Sequence, residues 1–357
     1  MDLPRIVDPP DGSVVREWVS PRFAAPAPVL RNAGLIPAEI RAMMAPCWDT
    51  RWFPPRPAQL HRLRDVFVVG EGLVFDRDLR VVGPSMTQHT LAEAAAARDT
   101  LRAAMVAGTV IEDRGTTLLC QKRGMANFGH WLIELLPMAY LCLGDLGDGG
   151  WRVLVPSGAG AMDGVVRDSL ALIGVPPDAV RWGDGSPRHV EELLLLHGLT
   201  SHGYTISPLV MGCMHALMGE VPAAGRDRLW VSRRGTVRRL WNEEEVERVL
   251  AGLGWRVLQP EALPFRDQVA AFRGAAAVAG VAGAGLTGLV FAAPGTPVTT
   301  FTPARMPDTF FWLLSVLRGH RYTEVRAPHD RGWAGMASYD APLVLSLPQV
   351  LQQLGAH

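Results

Sequence analysis

The sequence predicts an α/β protein built of two Rossmann-like domains facing a cleft. Three observations carry that expectation: a length of 357 residues, a regular alternation of strand-like and helix-like segments through the second half, and a glycine turn that ends a strand and opens a helix. So long a chain exceeds one average domain, and an apolar share of 48% supplies material for two cores. With only 20% charged residues, wholesale disorder is excluded.

Taken in order, residues 1–60 are rich in Pro, Arg and Trp and lack a clean period, so they read as an irregular arm packed on the first domain. Residues 61–220 form that domain. Runs at 67–69 and 73–75, split by Gly70 and Gly72, make a hairpin; an alanine-dense helix follows at 92–105 and a buried strand at 116–121. Strand 152–155, helix 165–173, strand 189–196 and helix 208–219 continue the series, and the turn-like stretch 222–225 marks the boundary. Residues 221–357 form the second domain. Its strands 229–231, 255–258, 276–281 and 298–301 alternate with helices 243–253, 264–273, 286–292 and 308–317, and Asn242 is placed to cap the first of these helices. Such alternation argues for parallel, doubly wound sheets, since a parallel crossover uses a helix to return the chain.

Charge and cysteine usage narrow the function. Thirty-five Lys and Arg residues balance 35 Asp and Glu, so the chain lacks the positive field of a nucleic-acid binder. Cys47, Cys120, Cys142 and Cys213 lie far apart and read as buried thiols in a reducing compartment. No signal peptide or membrane-spanning run is visible, which makes a cytoplasmic protein, working at the inner membrane face through partners, the expectation.

Three constellations carry chemistry. The run Gly283, Ala284, Gly285, Leu286, Thr287, Gly288 fits G-x-G-x-x-G, follows a strand and opens a helix. Small residues let backbone N–H groups approach an anion, the helix N-terminus favours it, and Thr287 offers a hydroxyl. A dinucleotide fold is one alternative, but its ribose-binding acid belongs about 20 residues on. There the strand reads Val298 to Thr302, and the first acid is Asp308. A tight turn required for packing alone is the other alternative.

The second constellation is the helix of Asn127, His130 and Glu134. If Asn127 caps it, His130 and Glu134 lie four apart on one face, and a carboxylate that orients an imidazole suits a general base. A satisfied core histidine is the competing reading. Third, Arg233, Arg234, Arg238 and Arg239, bent by Gly235, suit bidentate clamping of phosphate; a solvated loop is the alternative.

Four blocks in order, N-x-x-H-W-x-x-E-x-L-P from Asn127, S-R-R followed by R-R-x-x-N-E from Ser232, P-E-x-L-x-F-x-x-Q from Pro260, and G-x-x-G-A-G-L-T from Gly280, resemble glycosyltransferase family 61. That family spans bacterial capsular-polysaccharide enzymes and plant and animal xylosyl, arabinosyl and N-acetylglucosaminyl transferases. The resemblance covers about residues 115–305. It implies a GT-B-type fold and an inverting, metal-independent transfer from a nucleotide-sugar donor, usually a uridine diphosphate sugar, to a glycan acceptor hydroxyl in surface polysaccharide biosynthesis. It makes the first domain the acceptor side and the second the nucleotide-sugar side. Carried over, His130 and Glu134 fall on the family's acceptor-facing His and acid. Arg233, Arg239 and Asn242 fall on its R and N positions, Glu261 and Gln268 on the P-E…Q block, and Gly283 to Thr287 on G-A-G-L-T. Two positions depart from the pattern: Ala282 stands where the family usually has His, and Gly288 where it usually has Asn.

Together these residues predict a sugar transferase without a metal cofactor. His130, oriented by Glu134, deprotonates the acceptor, while Arg233, Arg239 and the turn at 283–287 stabilise the departing diphosphate. The alternatives are an NAD(P)-dependent oxidoreductase using the glycine turn and, because of Ala282, a non-catalytic family member that binds glycan or nucleotide.

Overall fold

The computed structural model describes residues 3–145, 150–157, 160–201, 203–329 and 340–355. The chain divides into two units, Met1–Pro21 with Pro55–Thr200, and Arg22–Pro54 with Ser201–His357. The α/β class stands in both.

In the first unit the predicted hairpin is real, but its first strand is far longer than the apolar run at 67–69. Strand β1 (Pro57–Val69) turns through Gly70 and Gly72 into β2 (Leu73–Phe75), pairing Phe67 with Phe75 and Val69 with Leu73. Both glycines have positive φ, 61° and 80°, and a side chain at Gly72 would strike the carbonyl of Gln121. Helix α1 (Leu91–Ala107) starts in a capping box between Thr90 and Glu93 and ends at Gly108 with φ 65°. Strands β3 (Ile111–Leu119), β4 (Trp151–Pro156) and β5 (Val180–Gly183) run parallel in that order. Strand β6 (Arg188–His197) is parallel to β3 and antiparallel to β1.

This sheet is therefore mixed, which corrects the expectation of two doubly wound parallel sheets. The hairpin reverses the chain without a helix, so β1 pairs antiparallel with β2, as it also does with β6, whereas Ile6–Val7 at the far edge pairs parallel with Val81–Val82. Alternating residues of β1 and β6, Leu63, Val66, Val68, Val190, Leu193 and Leu195, meet Leu119 and Leu154 in the core. Burial of each such side chain contributes roughly 1.5–3 kcal/mol.

The second unit meets the parallel expectation. Strands β7 (Arg228–Val231), β8 (Trp255–Leu258), β9 (Ala277–Val281), β10 (Pro297–Pro303) and β11 (Arg321–Ala327) are all parallel, in the order β8-β7-β9-β10-β11. Helices α4 (Glu243–Gly252), α5 (Phe265–Arg273) and α6 (Phe310–Arg318) return the chain between strands. The expected helix at 286–292 is instead a 3-10 helix, Ala284–Phe291.

Residues 22–54 belong to this unit and not, as the arm reading placed them, to the first. Val29–Arg31 adds a parallel strand beside β11, and helix Ala38–Trp48 buries Ile40, Met44, Cys47 and Trp48. The buried Arg326 guanidinium lies 5.4 Å from the Trp48 ring centroid, with Nη2 3.4 Å from Met44 Sδ. A three-residue edge strand and a helix containing Pro46 carry too little period to be read from sequence. All four cysteines are buried and none forms a disulfide, and no helix among the described residues is long and apolar enough to cross a membrane.

Candidate active site

In the first unit the site grows from the loop after β3. Asn127 Oδ1 accepts the N–H groups of Gly129 (2.8 Å) and His130 (3.4 Å), so the expected cap is present. The helix it opens runs α at Phe128–His130, widens to a π turn at Trp131–Leu135, and continues as α at Leu136–Cys142. Trp131 is fully buried and donates Nε1–H to Ser169 Oγ at 2.9 Å, which fixes the π turn against its neighbours. Across that turn His130 Nδ1 lies 2.5 Å from Glu134 Oε1.

Two partners absent from the sequence reading complete the cluster. The Lys122 ammonium pairs with Glu134 Oε2, and Thr200 Oγ1 donates to the same oxygen at 3.1 Å. The Lys122 and Glu134 side chains are only 7% and 4% exposed, whereas His130 is 18% exposed, so the imidazole is the member that reaches the surface. Its ring packs on Gly124, where φ is 76° and a Cβ would come within 3.3 Å of Nε2. With donors on both oxygens, the Lys122 ammonium among them, the buried carboxylate holds the ring in one orientation.

In the second unit the strand order reverses between β7 and β9: β8 lies on one side of β7, and all later strands lie on the other. Such a switch point opens a crevice at the carboxyl ends of the strands, where ligands of open α/β sheets bind. The arginine run leaves β7 there and the glycine turn leaves β9. Arg233 reaches back over Gly283, so that any side chain on Gly283 would collide with its guanidinium. Its Nε donates to Arg238 O at 2.6 Å, and its backbone N–H donates to Glu243 Oε1 at 2.7 Å. Burial, helped by the Arg238 charge, pushes the guanidinium down to about 10, still cationic at neutral pH. Burial likewise pushes Glu243 up to about 7, with Glu247 acting in the same direction.

The remaining residues are placed less uniformly. Gly285 lies under the Pro260 ring, which brings the exposed Glu261 to the same edge, where its charge acts on Arg233. Arg239 is exposed, and its carbonyl accepts Leu343 N–H at 2.8 Å. Asn242 does not cap α4 with its side chain, which donates to Glu245 Oε2 at 3.2 Å; the backbone carbonyl of Asn242 takes the Glu245 and Val246 N–H groups. Gln268 is buried and donates to Leu263 O at 3.0 Å, bracing the loop before α5. Thr287 and Leu286 are buried, and the Thr287 hydroxyl has no hydrogen-bond partner among the described residues. Ala282 is fully buried, its N–H bonded to Phe301 O at 2.9 Å, and a side chain at Gly288 would strike the Phe272 ring.

The dinucleotide alternative loses its acid: β10 ends at Pro303, and Asp308 accepts the Phe310 N–H at 2.7 Å. The D-x-D triplet Asp76-Arg77-Asp78 is a turn in which Arg80 pairs with Asp76 at 2.7 Å and Asp78 at 3.1 Å. Among the described residues no three His, Cys, Asp or Glu side chains gather as a metal site. An open groove of about 910 Å³ in the first unit, near Asp8, Arg64 and Arg80, is lined by neither His130 nor Glu134.

Lys122 was findable. It is the sole lysine among 35 Lys and Arg residues, an exception in a chain that otherwise uses arginine. Thr200 carries no comparable signal.

Residues 128–299 match the family model described as Glycosyltransferase 61, a stretch that takes in His130, Glu134, the arginine run and the glycine turn. No curated protein matches the chain.

Proposed function

Through residues 128–299 the chain belongs to glycosyltransferase family 61, and from that premise we propose that it transfers a sugar, with inversion and without a metal, from a uridine diphosphate sugar to a glycan hydroxyl. The domain at 61–220 takes the acceptor and that at 221–357 takes the donor. The observation that carries this reading is the half-buried Arg233 guanidinium lying over Gly283 at the switch point of a parallel sheet. A fixed cation beside a tight turn of backbone N–H groups is suited to a diphosphate, and its charge needs no reorganisation as the leaving group departs.

In the reaction His130 Nε2 takes the proton of the acceptor hydroxyl while that oxygen attacks the anomeric carbon. The anomeric bond to the diphosphate breaks, and its electron pair leaves with the phosphate. Arg233 and the N–H groups at Gly283, Ala284 and Gly285 stabilise that charge. Glu261 and Arg239, both exposed, contact the rest of the donor. Assembly of a surface polysaccharide from the cytoplasmic side of a bacterial membrane is the setting that fits such an enzyme.

The test is a transfer assay on a panel of uridine diphosphate sugars and oligosaccharide acceptors, with the anomeric configuration of the product read by NMR. A well-placed base contributes about 10²–10⁴ in rate, so His130→Ala lowers kcat by that factor while donor binding stays intact. A His130→Ala enzyme with wild-type turnover removes the imidazole from the mechanism, and a retained configuration removes direct displacement.

A further inference from the structure

The chain contains one lysine, and it is buried on a carboxylate that orients a histidine. A solvated basic position tolerates either Lys or Arg, and this chain resolves that choice toward arginine at every other basic site. At residue 122 the requirement differs. The side chain is 7% exposed, and a compact ammonium fits where a planar guanidinium, broader and with five forked donors, does not.

We propose that Lys122 is a positioning residue for the transfer reaction: with the Thr200 hydroxyl it holds Glu134 so that the carboxylate takes the Nδ1 proton of His130 and leaves Nε2 as the base. This rests on the reading of His130 as the base. The geometry divides the carboxylate between two duties. Oε2 receives the Lys122 ammonium and the Thr200 Oγ1–H, both donors, and Oε1 lies 2.5 Å from His130 Nδ1. An ionised carboxylate has no proton to give, so the proton of that last bond sits on Nδ1 and the ring lone pair sits on Nε2. Nε2 lies on the edge that runs along Gly124, where a side chain would crowd it.

Other charges around the loop are Glu71, whose Oε2 accepts Gly124 N–H at 3.3 Å, and Arg123, which is tied to Glu93 at 2.9 Å.

The test uses the full chain labelled with nitrogen-15 in its histidine rings and in lysine Nζ. Long-range proton–nitrogen spectra over a pH series report which ring nitrogen carries the proton, and His130→Gln assigns the ring by its disappearance. The sole lysine gives one Nζ signal that needs no assignment. In the wild type the His130 ring carries its proton on Nδ1, and Glu134→Gln moves the Nζ signal. In Lys122→Met the proton is no longer confined to Nδ1 and the Nε2 tautomer appears beside it, since Glu134 has lost the partner that turns Oε1 toward the ring; Lys122→Arg, whose guanidinium is too broad for the site, does not restore the wild-type tautomer. A wild-type ring protonated on Nε2, an Nζ signal indifferent to Glu134→Gln, or a Lys122→Met ring with the wild-type tautomer overturns the assignment. If Lys122→Met does not fold, the wild-type tautomer and the Nζ response decide. Spectra that fail while His130→Ala abolishes turnover sink the role of Lys122 alone. Spectra that agree while His130→Ala keeps turnover sink the base reading and this inference with it.

Discussion

At Arg233 a half-buried cation is fixed by backbone, its Nε donating to the Arg238 carbonyl. Its guanidinium occupies the space a side chain at 283 would fill, so Gly283 is required by contact and not by dihedral angle: its φ of 174° is open to any residue. Gly283→Ala should displace the guanidinium. Loss of a bond to a charged group costs about 1.5–3 kcal/mol, so the Kd for uridine diphosphate should rise about 10- to 100-fold, read by calorimetry. An unchanged Kd would mean that Arg233 lies beside the turn for packing only.

Glu243, on the backbone of that same arginine, makes stability depend on pH. Burial raises it to about 7, above the usual carboxyl range, so the folded chain holds a proton that the unfolded chain releases. The stabilisation is full below the unfolded value and is lost as pH rises through about 7. Thermal unfolding of Glu243→Gln should therefore fall less than that of the wild type between about pH 5 and about pH 8. His320, pushed down to about 4 by burial, acts with the opposite sign, but equally in both proteins. Parallel curves for wild type and variant would contradict the burial effect.

At the scale of elements, the helix after Asn127 and the 3-10 helix after Gly283 set where chemistry can occur. Asn127→Ala removes a cap of about 1 kcal/mol and should lower the unfolding midpoint slightly. Gly288→Ala drives a methyl into the Phe272 ring, and overpacking of this kind costs about 1–3 kcal/mol, a larger drop in the same experiment. A Gly288→Ala protein as stable as the wild type would show that α5 can yield.

What the sequence made legible follows from the same physics. Strands β7 to β10 and their helices were visible because each parallel strand is a short apolar run bounded by an amphipathic helix. The mixed sheet of the first unit was not, since pairing direction depends on which strand meets which, and β1 alternates too quietly over its 13 residues to show its length. His130, Glu134 and Asn127 were found by helical spacing. Lys122 and Thr200 were not, because they reach Glu134 from loops 12 and 66 residues away. Thr287 and Gln268 matched a motif by letter, yet burial gives them structural partners or none. A string of letters does not record which way a side chain turns.

For the whole molecule, the proposed mechanism gives each unit one half of the reaction: an oriented imidazole in the first, a half-buried guanidinium with a glycine turn in the second. A division of labour follows, in which substitutions at His130 change turnover and those at Arg233 change nucleotide affinity. The most direct measurement is calorimetric titration of uridine diphosphate, with NAD as a parallel ligand, into the wild type and Arg233→Ala. Binding of uridine diphosphate but not NAD by the wild type, weakened at least about tenfold in Arg233→Ala, is the expected result. Equal affinity in the two proteins, or preference for NAD, would contradict a nucleotide-sugar site at the glycine turn.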